Sequence, residues 1–386
     1  MRLRFLTAGE SHGKGLTVIV EGVPAGLALD EEYIAADLKR RQMGYGRGGR
    51  MDIERDRPEI ISGVRYGFTL GSPISFLIRN LDWENWSEVM SVSPVARQAD
   101  PVVGLRPGHA DLAGAVKYSL DDVRPILERA SARETASRVA VGAIARRLLG
   151  EFGIELHSHT VSIGGCRSEP ANPVDWDTVE GSPVRCADTG AEKAMIAAID
   201  RAREAGESVG GTFEVVATGV PIGLGSHVHW DRRLDGRIAQ AIMSINAVKG
   251  VEIGAGFRTA DLTGSKVHDV IETDSKGWRH VTNNAGGIEG GISNGEPIIV
   301  RAAVKPIPTL TMPLPSADLR TGERAEAHVE RSDVCVVPAA GVIGEAMLAI
   351  VLADALLEKF GGDHINETMR NYQGYLTAIG PRTQDE

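Results

Sequence analysis

Ser11 and His12 stand side by side in Thr7-Ala-Gly-Glu-Ser-His-Gly-Lys-Gly, a stretch that contains a literal G-x-S-x-G from Gly9 to Gly13. A serine next to a histidine between glycines offers a nucleophile, a proton donor or a tight turn. A nucleophile elbow needs a strand before it, a helix after it, and an earlier strand-to-helix loop that completes the oxyanion hole. Only Leu-Arg-Phe-Leu-Thr-Ala precedes the motif, and the run that follows, "LTVIVEGV", has strand composition. Serine hydrolase chemistry therefore lacks its setting. What is left is a glycine-rich turn whose Ser and His satisfy backbone groups or serve a different reaction.

Other segments gather cations. Lys39, Arg40, Arg41, Arg47 and Arg50 crowd one stretch. It includes "GYGRGG" (44–49), a literal G-x-G-x-x-G that follows a helical pattern instead of a strand and so does not read as a dinucleotide fingerprint. It reads as an arginine-bearing loop able to turn toward an anion, or as a basic face offsetting the dipole of the preceding helix. In "GLRPGHAD" (104–111) Arg106 and His109 flank a Pro-Gly turn, and in "ERASARET" (128–135) Arg129 and Arg133 lie one helical turn apart around Ser131. Paired guanidiniums suit phosphate or carboxylate in bidentate fashion; local pairing with Glu128 or Glu134 is the plainer alternative. "NNAGGIEGGISNGEPI" (283–298) is glycine-rich, "VKPIPT" (304–309) is stiffened by proline, and Arg331 and Asp333 precede an apolar run. His157/His159 and His227/His229 form H-x-H pairs with no carboxylate or cysteine at matching short spacing, so no metal site is expected.

These side chains need a scaffold, and the order of landmarks describes one. "LTVIVEGVPAGLALDEEYIAADLKRR" (16–41) and "TFEVVATGVPIGLGSHVHWDRRLDGRIAQAI" (212–242) both run strand, G-V-P-x-G-L turn, helix. "LGSPISFLIRN" (70–80) and "NGEPIIVRAAV" (294–304) then both place G-x-P-I before an apolar strand. Repeated landmarks in one order imply two related halves, about 1–150 and 205–362, packed as a single catalytic body and followed by a C-terminal tail, 363–386. Helical spacing appears over 131–149, 191–207 and 232–250, and the apolar run 342–357, interrupted by Glu345 and Asp354, reads as a buried helix. The elements lack regular βαβ alternation, so the class is α+β: sheets sandwiching helices, or helices layered on largely antiparallel sheets.

A net charge of −10 over 386 residues argues against general nucleic-acid binding, which needs a basic face. Three widely spaced cysteines without a C-x-x-C pair fit a reducing, cytoplasmic setting, and no membrane segment is expected.

Taken together, "GESHG" (9–13), "RRQMGYGR" (40–47), "RPGHAD" (106–111), "RASARETA" (129–136), "SINAVKGVEIG" (244–254), "GGIEGGISNG" (286–295), "KPIPT" (305–309) and "RSDVCVVPA" (331–339) resemble the chorismate synthase family over nearly the whole chain. The resemblance implies a β-α-β sandwich assembled as a homotetramer. It implies a lyase that removes phosphate from 5-enolpyruvylshikimate 3-phosphate in an anti-1,4-elimination, using reduced FMN without net redox change. By the family pattern His12 and His109 are the general acids, Ser11 and Ser131 support them, and Asp333 relays the proton taken from C6. Arg41, Arg47, Arg106, Arg129 and Arg133 would clamp the anionic substrate, with Arg41 and Arg47 also at nicotinamide-cofactor positions. FMN would be lined by Arg129, Ala130, Ser131, Asn246, Ala247, Gly290, Lys305, Pro306, Ile307, Pro308, Thr309 and Arg331. No reductase domain is visible, so the expectation is FMN reduced outside this chain, by an external flavin reductase with NADPH as the indirect electron source.

Overall fold

Two antiparallel strands, β1 (Arg4–Ala8) and β2 (Gly15–Glu21), open the chain with Thr7 opposite Val18 across the ladder. The Gly9–Gly13 motif is the turn between them, so the elbow's helix is absent for a structural reason. The computed structural model describes residues 3–49, 54–169, 173–274 and 277–380. Helix α1 (Glu31–Gln42) starts where the Asp30 side chain accepts from the Tyr33 amide; acids in its first turn and Lys39, Arg40 and Arg41 in its last complement its dipole. Strands β3 (Pro58–Ser62) and β4 (Ile74–Arg79) complete an antiparallel sheet in the order β1-β2-β4-β3. Leu16, Val18 and Val20 face Ile78, Phe76 and Ile74 across β2 and β4, and all six are fully buried.

Three helices follow: α2 (Asp111–Tyr118), α3 (Arg124–Ala130) and α4 (Thr135–Gly150). The second half then repeats the plan. Strands β5 (Glu155–Ile163) and β6 (Cys166–Arg167) precede helix α5 (Thr189–Glu204). This half begins at Glu155 rather than near 205, because β5, the counterpart of β1, lies before α5. Strand β7 (Gly211–Thr218), helix α6 (Leu234–Met243), β8 (Val248–Ile253) and β9 (Ile298–Val304) complete an antiparallel sheet ordered β8-β9-β7-β5-β6. Matching β1 to β5, β2 to β7, β3 to β8 and β4 to β9, with α1 matched to α6, gives the same strand order twice. The helical pattern expected over 232–250 stops at Met243, with Ser244 as its cap; Ala247, at φ 67, turns the chain into β8, which begins at Val248.

The repeat extends to individual hydrogen bonds. In the first half the Thr69 hydroxyl donates to Pro24 O at 2.6 Å and accepts from Leu27 N at 3.0 Å, while Gly26 N donates to Thr69 O and Thr69 N to Leu27 O, each at 2.9 Å. In the second the Ser293 hydroxyl donates to Pro221 O at 2.6 Å and accepts from Leu224 N at 2.8 Å, with Gly223 N donating to Ser293 O and Ser293 N to Leu224 O. Both G-V-P-x-G-L turns need a glycine with positive φ, at Gly26 (+83°) and Gly223 (+102°).

Helix α7 (Val337–Phe360) runs through the middle, packing on α4, α1 and α6 and on β5 and β7; α4 in turn meets α1 and β2. Sheet, helices, sheet is thus the layer order. By length and composition α7 alone among the described residues could cross a membrane, but its most apolar window is wholly buried in the protein. Two of its three acids, Glu345 and Asp354, are buried and paired: Glu345 with Arg40, Arg146, Arg185 and the Ser158 hydroxyl, Asp354 with Arg237 and the Leu3 amide. One expectation needs correction. Much of the supposed tail is helix α8 (Ile365–Leu376), started by a His364/Glu367 capping box and docked through buried Ile365, Thr368 and Tyr372, whose ring meets Phe152 and Phe360 edge-on. Residues 381–386 lie outside the described ones.

Candidate active site

Equivalent ends of the two halves meet around one cavity of about 500 Å³. Arg41 comes from the last turn of α1, Arg47 from the loop after it, and Trp86 from the segment after β4. Across from them, Ile245, Asn246 and Ala247 follow α6, and Lys305, Ile307, Pro308 and Thr309 follow β9. The rest of the wall is the α2–α3 region with Ser131–Arg133, and the approach to α7 from Glu330 to Asp333. Six cationic and three acidic side chains line it, within a chain of net charge −10.

His12 is held by Glu128. One carboxylate oxygen accepts from the His12 amide at 2.7 Å, and the carboxylate lies 3.0 Å from Nδ1. The imidazole stacks on Trp86 with ring centroids 3.9 Å apart. Ser11 N donates to Glu128 O at 3.1 Å and Ser11 Oγ to Ser131 Oγ at 3.1 Å, so the β1–β2 turn is pinned to α3. Burial pushes the Glu128 carboxyl up, but bonds from the His12 ring and amide and from Arg124 outweigh it and leave it below the usual range.

His109 is backed in the same way by Asp111, whose carboxylate is fully buried and takes Nδ1 in a short contact. Asp111 also accepts from Arg106 Nε at 3.0 Å, and Arg106 donates to Thr309 Oγ1 at 3.1 Å. Arg106 also reaches His109 Nδ1 at 3.0 Å, but a guanidinium can only donate, so the two contacts compete for that nitrogen. Burial opposes ionisation of Asp111, yet bonds from His109 and Arg106 hold it at about 2.

Asp333 sits in the arginine loop. Arg47 lies 3.2 Å from one of its oxygens, and the Gly48 amide donates to the other at 2.6 Å. "GYGRGG" thus cradles a carboxylate of its own chain. A Cβ at Gly48 would meet Ser332 O at 2.8 Å.

The remaining arginines are differently placed from the expected clamp. Arg133 is buried and largely occupied by Asp56, Asn80 and Glu54. Arg41 donates to Thr135 Oγ1 and Ala132 O, both at 2.9 Å; its buried Nη1 has no hydrogen-bond partner among the described residues and lies 3.6 Å from Asp56. Burial pulls Arg41 down to about 10, still cationic at neutral pH. Arg129 does not line the cavity: it donates to Thr7 O and Gly9 O and borders a neighbouring cleft with Phe5 and Arg138. The local-pairing alternative fails too, since Glu134 takes Arg138 and Glu128 takes Arg124. Gly290 belongs to a separate cavity with His268, Asp269 and Glu289, and Pro306 is absent from the wall that its neighbours Lys305 and Ile307 form. Arg50 lies outside the described residues.

Ala130, Ser131, Asn246 and Ala247 line the wall together; Asn246 Nδ2 donates to Ala130 O at 3.0 Å, while its buried Oδ1 has no partner among the described residues. Lys305 donates to Gly108 O, and burial with Lys249 nearby lowers its pKa. Arg331 is mostly exposed, 3.5 Å from Asp82. Away from the cavity, His157 and His159 share a face of β5 against Trp176.

Sequence reasoning missed Trp86, Asp111, Glu330 and Asp56 and treated Glu128 only as an arginine partner. Asp111 alone carried a local signal, two residues beyond His109 in "RPGHAD".

With this geometry fixed, comparison with known proteins is decisive. The family model described as chorismate synthase matches residues 3–357. The chain belongs to the chorismate synthase family. The chorismate synthase of Moorella thermoacetica is 60% identical over 385 residues, covering 98% of this chain and 100% of its own; that of Aquifex aeolicus is 56% identical over 390 residues, covering 98% of each. A crystal structure of a chorismate synthase matches with a TM-score of 0.80 at 48% identity, over 98% of both chains. The α+β sandwich described above is therefore the family's fold.

Proposed function

We propose that this enzyme converts 5-enolpyruvylshikimate 3-phosphate to chorismate and phosphate by anti-1,4-elimination. The observation that carries the reading is a cation-rich cavity holding two histidines, each backed by a buried carboxylate. A phosphate dianion beside carboxylates needs such a concentration of positive charge to enter an acidic protein. In this reading His12 donates a proton to the departing phosphate, or holds its charge, as the C3–O bond breaks. Asp333, oriented by Arg47 and the Gly48 amide, takes up the proton leaving C6. Arg41 Nη1, Arg106 and Lys305 supply the field that binds the anions.

Reduced FMN, when bound, lends electron density as phosphate leaves and recovers it as the C6 hydrogen departs, which explains a flavin requirement without net redox change. The residues present fit such a group. Asn246 Oδ1 is a buried acceptor in want of a donor, and the 305–309 segment and Arg331 border the same space. Ala130, Ser131, Asn246, Ala247, Lys305, Ile307, Pro308, Thr309 and Arg331 would hold it, and His109 would manage the proton on its ring. In the same reading FMN is supplied already reduced, by an external flavin reductase with NADPH behind it. A homotetramer belongs to the same reading.

The test is anaerobic incubation with 5-enolpyruvylshikimate 3-phosphate and chemically reduced FMN, following chorismate by ultraviolet absorbance. Product is expected only with reduced flavin. Normal flavin binding without product would sink the proposal.

A further inference from the structure

Glu128 engages the Ser11-His12 turn at three points: its backbone carbonyl takes the Ser11 amide, and its carboxylate takes the His12 amide and Nδ1. That carboxylate has a side-chain exposure of 1% and is anchored from behind. Arg124 lies 3.3 Å from Glu128 and 2.7 Å from Glu330, and its guanidinium covers the Trp86 ring on which His12 stacks. Glu330 in turn meets His328 at 3.2 Å. The imidazole is thus fixed in plane by Trp86 and in rotation by Glu128.

A carboxylate has no proton to give, so its bond to Nδ1 requires the ring proton on Nδ1. This decides the chemistry of the other ring nitrogen. With Nδ1–H tied to Glu128, Nε2 is the nitrogen through which His12 gains and loses a proton.

We infer that Glu128 is a positioning residue for His12, locking its Nδ1–H tautomer and ring orientation so that proton exchange with the leaving phosphate runs through Nε2. The inference rests on the functional reading above for the identity of the phosphate, though not for the tautomer. Arg124 and Glu330 extend the device, because they keep the carboxylate seated.

Glu128→Gln is the discriminating substitution. The amide keeps the size and can still accept from the His12 backbone, but its NH2 donates toward Nδ1 and so favours the opposite tautomer. Where a carboxylate that orients a catalytic histidine becomes an amide, turnover falls by about 10⁴. Here a fall in kcat of roughly 10²–10⁴ is expected, with KM and flavin affinity changed only a few-fold. Glu128→Asp, which retains the charge, should recover part of that loss.

Two readouts separate positioning from simple support of the fold. In protein labelled with 15N-histidine, with the His12 signals assigned by their loss in His12→Ala, the wild type should show the Nδ1–H tautomer and Glu128→Gln the Nε2–H tautomer. In turnover, the Glu128→Gln/His12→Ala double variant should be no slower than His12→Ala alone, because Glu128 acts through His12. An unchanged tautomer in Glu128→Gln, or losses that multiply in the double variant, would overturn the inference. Should wild-type protein make no chorismate, the functional reading falls while the tautomer measurement still decides whether Glu128 sets the state of His12.

Discussion

Removing one hydroxyl from each half tests whether the internal repeat is energetic as well as topological. Thr69 and Ser293 are both buried, and each hydroxyl bridges a proline carbonyl and a leucine amide. Thr69→Val replaces the hydroxyl with a methyl of similar size and strands Pro24 O and Leu27 N; Ser293→Ala does the same to Pro221 O and Leu224 N. A buried polar group left unpaired costs about 1–3 kcal/mol. Two such groups give about 2–6 kcal/mol at each site. Thr69→Ser keeps both bonds and loses one methyl, worth about 0.8 kcal/mol. For a chain of 386 residues the unfolding entropy near the melting temperature is about 0.8 kcal/mol/K, so each hydroxyl deletion should lower Tm by roughly 2–7 °C and Thr69→Ser by about 1 °C. Urea denaturation followed by tryptophan fluorescence, with Tm alongside, reads both. If Thr69→Val matched Thr69→Ser, or if one half lost several kcal/mol and the other nothing, the equivalence of the turns would be geometric coincidence.

Two further outcomes follow from buried ionisable groups. Asp111 is held at about 2, below the ordinary 3.8, so its ionised form contributes stability that is fully present above about pH 4 and is lost as pH falls toward 2. The difference in urea midpoint between wild type and Asp111→Asn should accordingly close between about pH 4 and pH 2, and a gap constant down to pH 2 would refute the pairing. Cys335 is fully buried, with its thiol pushed up to about 12 chiefly by burial, and Cys186 is buried as well, whereas Cys166 is partly exposed. A thiol reagent at neutral pH should modify Cys166 alone in native protein and all three after unfolding; fast native labelling of Cys335 would contradict its burial.

What the sequence made legible is uneven, for physical reasons. The duplication could be read because its turns need glycine at positive φ, at Gly26 and Gly223 and again at Gly71 and Gly295, so the constraint is written in residue type. Helix α7 could be read because a segment apolar on every side must be buried, and it is. His12, His109, Arg47 and Asp333 stood out as chemically charged residues in glycine- and proline-marked loops. Their partners did not. Glu128 reaches a histidine 116 positions away, and Asp56 reaches Arg133 across 77. Nothing in "WENW" says that Trp86 will lie under His12. Side-chain direction was equally hidden: Arg129 and Arg133 share one short stretch, yet one turns to the β1–β2 turn and the other to Asp56. Helix α8 was missed because its buried face is narrow and its cap is a histidine, a residue outside the usual N-cap preference.

The meeting of equivalent ends of the two halves around one cavity has a consequence for how the enzyme comes into being. Ser11 and Asp333 line the same space although 322 positions separate them, so a nascent chain with its first half folded owns a sheet and a buried layer but no cavity. The cavity is complete only where the segments after β9 and before α7 meet those after α1 and β4. Whatever occupies the cavity afterwards touches both halves at once and is lost if either opens, which makes occupancy a bond between them. A single half, however well folded, would need a second copy of itself to enclose anything.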